Sequence, residues 1–366
     1  MVQQARFRRS HAVSHGSVVR PGRVGVPGRR RRLGKRLVTL GMITSWMLSP
    51  PVNDSAAHSS DGGWAADYRA WYPMRVAAYV ANSGAGTVSV YDARLEQPAA
   101  VVQVGAGPTG VGAAPDGDTV YVANGLSNSV SFIDTLSRKV TATVPVGRRP
   151  FAAVPSADGR RVLTANWGAD SVSLIDAATR KVTATAPVGN LPHSIATIAG
   201  GRAYVTNSGS NTVTVLSADG RLEATVRVGD FPSGIAGTHD GKRVFVSNTG
   251  SGSISVIDTA TNKVTGTLPV GKAPLGVVVA PDDRHLYAVD STENALLVLD
   301  LTTNQVTSRI PVGKAPQGVA LTPGGRRAWV TNDDSNTVSI IDLDTGKVRG
   351  TLPTGSKPEG IAITPR

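Results

Sequence analysis

Cysteine is absent from all 366 residues, which removes a disulfide framework and a lipoprotein anchor together. The fold must therefore be held by packing and sheet pairing alone. Long apolar runs are missing as well: residues 37–48 form one, but it is shorter than the roughly 20 residues a membrane-spanning helix needs. Histidine is scarce. Beyond residue 57 only His58, His193, His239 and His285 remain, and strand register places His239 and His285 at the opposite end from His193. No metal-spaced histidine pair, nucleophile elbow, phosphate loop or Asp-x-Asp-x-Asp-Gly calcium loop occurs. These gaps predict neither a cofactor nor a metal, and they single out no catalytic set. Helical periodicity is nowhere present.

Charge is present but unevenly placed. The formal net charge is +12, yet residues 1–57 hold eleven Lys/Arg, from Arg6 to Arg36, against the single acid Asp54. That segment carries +10, and everything after it carries +2. A basic stretch ending at Arg29 to Arg36, then the apolar run, then small residues at Ser55 and Ala57 read as an export leader that is cleaved away. Arg31-Arg32-Leu33-Gly34 matches a paired-arginine signal only loosely, so ordinary basic-region charge is the expected reading. The remaining chain is predicted to be exported, extracellular or associated with the cell envelope. It carries no spanning segment once the leader is gone and is expected to be monomeric. Its near-neutral charge argues against nucleic acid, which draws on many phosphate contacts.

The strongest signal is an internal repeat. Its clearest word is a tetrad at Tyr79–Asn82, Tyr121–Asn124, Leu163–Asn166, Tyr204–Asn207, Phe245–Asn248, Tyr287–Asp290 and Trp329–Asn332, with starts 42, 42, 41, 41, 42 and 42 residues apart. Each tetrad precedes a small polar turn and an alternating strand such as Thr87–Asp92 or Thr337–Asp342. A second strand follows, as at residues 139–146, then Gly-x-x-Pro and a third apolar strand, as at residues 276–280. Period-two alternation, β-branched side chains and Asp-Gly turns at Asp116, Asp158 and Asp240 all indicate strand. One repeat thus predicts one four-stranded antiparallel sheet, and seven such sheets must stack to cover their faces. The predicted fold is all-β: a seven-bladed β-propeller over residues 75–366. Its first repeat begins at the second strand of the pattern, and the chain ends on a copy of the missing one, Pro358 to Pro365. The C-terminal strand is predicted to pair into the first blade and close the ring. An open solenoid would leave that strand unexplained. Residues 58–74, with Trp64, Tyr68, Trp71 and Tyr72, are expected either to pack across the first blade, since clustered aromatics need cover, or to act as a partner-binding tail.

These words, Tyr-Val-Thr-Asn, Thr-Val-Ser-Val-Ile-Asp, Lys-Val-Thr-x-Thr-x-Pro-Val-Gly and Pro-x-Gly-Val-Ala, resemble the YVTN (YncE-like) β-propeller repeats of surface-layer and lactonase-like proteins. The resemblance spans Tyr79 to Arg366 and implies the fold. It leaves function open, because that group includes adhesion modules, nucleic-acid binders and proteins of unknown role.

Antiparallel connections alternate ends, so the Gly-x-x-Pro loops and the turns after each Asn should open on one face, here called upper. The residue following each Pro differs most among repeats: Thr109, Phe151, His193, Ser233, Leu275, Gln317 and Glu359. A ring that diverges at the channel mouth is a candidate ligand contact; free drift of loop residues is the alternative. One sector departs furthest from the pattern, with Arg148, Arg149 and Trp167 beside Phe151 and His193. A guanidinium pair near aromatic faces suits an anionic, planar or sugar-like ligand, or it is local cover for an exposed Trp. Opposite lie Asp290, Glu293, Asp333 and Asp334, expected to be solvated turn acids. The tetrad residues Asn82, Asn124, Asn166, Asn207, Asn248 and Asn332 are expected to be structural, bonding their own turns and tolerating left-handed backbone. Functionally, a binding scaffold for a protein, glycan or other polymer leads. A lactonase-like hydrolase or lyase using Glu359, His193 and Arg149 is the alternative, and single-stranded DNA binding, allowed by the family resemblance, is a third.

Overall fold

The computed structural model describes residues 76–365. The leader and the aromatic-rich segment 58–74 lie outside the described residues, as does any packing they make. The described residues form twenty-eight strands and one short 3-10 turn, Asp333–Ser335. Strands arise where the sequence alternates and carries β-branched residues. They end at tight turns, where Gly117, Gly159 and Gly241 of the Asp-Gly pairs adopt positive φ. Asp116, Asp158 and Asp240 each accept the backbone N–H two residues on.

Seven four-stranded antiparallel sheets result, numbered here as blades 1 to 7 from the tetrad at Tyr79. In each blade the strand beginning at the Gly-x-x-Pro proline is innermost, the tetrad strand lies next to it, and the Lys-Val-Thr-type strand is outermost. The inner strands are Pro108–Ala113, Pro150–Pro155, Pro192–Thr197, Pro232–Gly237, Pro274–Val279, Pro316–Leu321 and Pro358–Ile363. Each neighbours the next around a central channel, and the seventh meets the first, which closes the ring. Closure is made as the repeat register predicts: Pro358–Ile363 pairs antiparallel with Ala77–Asn82, Tyr79 opposite Ala362 and Val80 opposite Ile361. Thr364 and Ala77 bond through backbone N–H and carbonyl at 2.9 Å.

Both faces of each sheet are covered, so middle strands such as Thr87–Asp92 are buried along their whole length. The core is divided into seven hydrophobic slabs, one between each pair of neighbouring blades. The slab between blades 7 and 1 joins Trp329, Val338 and Ile340 to Tyr91, Val80 and Ala78. A sheet that buries apolar side chains on both faces has no stable form alone, and the ring is its solution.

The tetrad residues are structural, but for a different reason from the one expected. None has positive φ; the left-handed positions lie four residues later, at Gly86, Asn128, Asp170, Asn211, Gly252, Asn294 and Asn336. The tetrad Asn side chains are fully buried at strand ends. Each donates through Nδ2 to hydroxyls on the neighbouring strand, as Asn166 does to Ser171 and Ser173 at 3.2 and 2.9 Å. In blade 6 those hydroxyls are replaced by Ala295 and Leu297, and the tetrad ends in Asp290. Asp290 is fully buried rather than solvated. With no acceptors opposite, a carboxylate serves better than an amide, and it accepts four backbone N–H groups, from Lys272, Ala273, Thr292 and Glu293.

Candidate functional site

Every inner strand carries a bulge just after its proline. In blade 2, Pro108 pairs with Asn124 and Val111 with Val122, so Thr109 and Gly110 together face the single residue Ala123. All seven blades share this shift. Bulges re-aim side chains out of the alternating pattern, and here they turn the residue after proline toward the channel mouth. The turns after the tetrads join the Gly-x-x-Pro loops on this upper face: Trp167 N–H donates to the Arg149 carbonyl at 3.0 Å, and Ser83 N–H to the Lys357 carbonyl at 2.9 Å.

Thr109, Phe151, His193, Leu275, Gln317 and Glu359 line the channel, a cavity of about 240 Å³ whose lower walls are Val111, Ile195, Ile235, Val277, Val319 and Ile361. Ser233 does not join them. Its side chain is fully buried, and its hydroxyl lies 2.8 Å from the Thr249 hydroxyl. Ser233 is thus withdrawn from the ring of candidate contacts, because a small hydroxyl beside Thr249 gains more by bonding into the blade than by facing water.

Above the channel opens a second hollow, of about 430 Å³, that shares Thr109, Phe151, His193 and Glu359 with it. Its remaining walls are Arg149, Trp167, Leu126, Phe231, Pro150 and Ser83, with Gly107 and Gly125 adding no side chain. The Arg149 guanidinium lies 4.8 Å from the Trp167 ring centroid, and the Phe151 and His193 rings are 4.0 Å apart, tilted by 36°. Arg148 is exposed and lines neither cavity; its carbonyl receives the Gly168 N–H at 3.0 Å. Leu275 and Gln317 stay in the channel below.

The acids opposite serve other ends. Lys357 bridges Asp333 and Asp334 at 3.0 and 2.6 Å, Glu293 approaches Arg309 at 3.9 Å, and among the described residues no cluster suited to a metal ion occurs. His239 and His285 pair with Asp283 and Asp282 at 2.9 and 2.7 Å, in turns at the far end of the blades. Leu126 and Phe231, exposed by 69% and 47%, escaped the sequence reading. Leu126 stands where the other repeats place Gly, Thr or Asp, so aligning the repeats exposes it, whereas Phe231 shares its position with Leu191 and is less marked.

Two ionisable groups are displaced from their ordinary range. Burial lowers the His193 imidazole to about 4, opposed in part by a hydrogen bond that the ring donates to the Ser233 carbonyl. Burial likewise raises the Glu359 carboxyl to about 7; the Ser83 hydroxyl pulls it down and the Asp333 charge pushes it up. Each keeps some surface open to the channel, but the walls leave too little water there to solvate a charge. Near neutral pH the mouth therefore holds a neutral imidazole on blade 4 and, on blade 1 across the channel, a carboxyl poised between its two forms.

Comparison with known proteins agrees with this architecture. The family model described as lactonase, 7-bladed beta-propeller, matches residues 145–364. The chain belongs to the lactonase-type seven-bladed propeller family. A YncE-like beta-propeller model matches residues 74–203, so the family relationship spans the repeats. No curated protein matches the chain. Among solved structures, the hydrazine synthase of Kuenenia stuttgartiensis is similar at 23% identity and a TM-score of 0.66, over 71% of this chain and 90% of that one. A functionally unknown protein from Desulfotomaculum acetoxidans aligns at 18% identity and a TM-score of 0.71, over 79% and 99%. A candidate 6-phosphogluconolactonase from Bacteroides fragilis aligns at 16% and 0.67, over 80% and 98%. Likeness at this level is likeness of fold. No helix among the described residues is long and apolar enough to cross a membrane.

Proposed function

We propose that this lactonase-type propeller is an exported binding protein that recognises a protein, glycan or other polymer ligand at the upper mouth of its channel. The observation that carries the reading is the convergence of two close pairs, Arg149 with Trp167 and Phe151 with His193, around one hollow. Rigid aromatic faces beside a guanidinium provide contact area and charge at little entropic cost. A glycan and ligand array probed with the purified protein tests it. Ligands retained by the parent should be lost when Arg149 and Trp167 are replaced by Ala, whereas an unchanged array would remove the mouth as the binding site.

A second reading, ring opening of a lactone at the channel mouth, is favoured by one specific feature: Glu359 titrates near neutrality while His193 stays neutral across the channel. An acid–base group works best with a pKa near the working pH. Turnover of simple lactones that disappears in Glu359→Gln would support this reading over pure binding.

A further inference from the structure

The hollow owes its space to missing groups. In blades 1, 4, 5 and 6 the first residue after the tetrad is a hydroxyl, Ser83, Ser208, Thr249 or Ser291, bonded to the Lys357, Pro232, Pro274 or Ala273 carbonyl of the adjoining loop. Blades 2 and 3 place Gly125 and Trp167 there instead, so neither bridge forms. A Cβ on Gly125 would stand only 3.2 and 3.3 Å from the Gly107 and Pro150 carbonyls. The absence of a side chain on blade 2 leaves the gap into which Arg149, Trp167 and Phe151 face.

The polar groups lining this gap are fewer than their names suggest. The Thr109 hydroxyl donates to the Phe151 carbonyl at 2.9 Å, and the Ser83 hydroxyl to the Lys357 carbonyl at 3.1 Å. On His193, Nδ1 faces the Ser194 hydroxyl at 3.2 Å. The His193 ring also bonds to the Ser233 backbone and the Glu359 carboxyl lies within reach of the Ser83 hydroxyl, which leaves the Arg149 guanidinium, with no anionic partner among the described residues, as the main unengaged polar group. Around them stand Phe151, Trp167, Leu126, Phe231 and Pro150. A pyranose presents several hydroxyls, each needing a partner once desolvated, and so few unengaged polar groups cannot meet that demand. A flat aromatic ring with one anionic substituent asks only for apolar walls and one cation. With its Cζ 4.8 Å from the Trp167 ring centroid, the Arg149 guanidinium can present its N–H edge to a bidentate carboxylate.

We infer that the mouth takes a planar aryl carboxylate of one or two fused rings, its carboxylate on Arg149 and its rings against Phe151, Leu126 and Phe231. This rests on reading the mouth as a ligand site and departs from the polymer reading in the size and chemistry of the ligand it takes. Calorimetric titration of the full chain with naphthoate, naphthamide, cyclohexanecarboxylate and glucuronate tests the class. Naphthoate should bind. The neutral amide and the non-aromatic acid should each bind at least about tenfold more weakly, and glucuronate should show no heat of binding. Arg149→Ala should weaken naphthoate by about tenfold or more and leave naphthamide unchanged. The Trp167→Phe variant, which retains an aromatic face, should keep most of the naphthoate affinity.

Equal binding of naphthoate and naphthamide would overturn the inference, as would tighter binding of glucuronate or an Arg149→Ala variant with parental naphthoate affinity. Failure of all four probes also overturns it. The reading of the mouth as a ligand site falls separately, only if ligands found on the array survive replacement of Arg149 and Trp167.

Discussion

Buried amide and carboxylate side chains exchange around the ring according to the atoms that face them. Where blade 6 loses the cross-strand hydroxyls, Asp290 replaces Asn and collects four N–H donors. Asp290→Asn should cost about 1.5–3 kcal/mol, the usual worth of hydrogen bonds to a charged group. Adding Ala295→Ser, which restores one cross-strand hydroxyl without emptying the core, should recover part of that loss, as read from urea midpoints. At the channel mouth, Glu359 and His193 make opposite contributions to stability against pH. The folded Glu359 holds a proton up to about pH 7, whereas an unfolded one releases it near 4.5, so its contribution falls as pH rises across that window. The folded His193 stays neutral down to about pH 4 and an unfolded one titrates near 6.5, so its contribution rises with pH over much the same range. The two offset each other. Thermal midpoints of Glu359→Gln should therefore climb from pH 4.5 to 6.5 more steeply than those of the parent, and His193→Gln should reverse the slope. Above pH 8, Glu359→Gln should be more stable than the parent by roughly 1–2 kcal/mol, the full shift being discounted for the water the channel admits. At this scale the sequence was only partly legible. The post-proline ring could be read from its divergence among repeats. The burial of Ser233 depends on Thr249, sixteen positions along the chain, and the left-handed backbone falls four residues beyond the Asn that suggested it.

Strands and their bulges decide how closely the blades approach the axis. Two residues after the inner-strand proline, five blades carry Gly, and a Cβ on Gly276 would come within 2.6 Å of the Gln317 carbonyl of the next blade. Gly276→Ala should therefore destabilise by about 1–3 kcal/mol through overpacking, seen as a lowered urea midpoint with an unchanged slope. Blades 3 and 4 carry Ala152 and Ser194 at the same position, so the strands that present Phe151 and His193 already accommodate a Cβ. Strand positions were readable from alternation and turn residues: Thr87–Asp92 and Thr337–Asp342 fall where the pattern puts them. The bulges were not. A one-residue register shift leaves no compositional mark, and it shows only once the proline and the Val three residues on are seen paired to one neighbouring strand.

At the scale of the whole ring, the seam between blades 7 and 1 must supply what chain continuity supplies elsewhere. The Tyr91 hydroxyl donates to the Pro353 carbonyl at 2.6 Å, the Tyr91 and Trp329 rings lie 5.8 Å apart, and Glu96 pairs with Arg327 and Arg349 at 2.7 and 3.4 Å. Trp329 is fully buried in that slab, so Trp329→Ala should cost about 3–5 kcal/mol and lower the thermal midpoint of the entire propeller. Closure was the most legible feature of all, because a repeat that starts one strand late and ends one strand over has only one way to pair its edges. The placement of every residue around the mouth depends on that clasp, and Glu359 itself rides on the closing strand. The most direct test is equilibrium unfolding in urea of the chain ended at Lys357. The account predicts a steep drop in midpoint or outright failure to fold, since blade 1 would lose its inner strand and blade 7 a neighbour. A truncated chain that unfolds at the parental midpoint with the parental slope would contradict it.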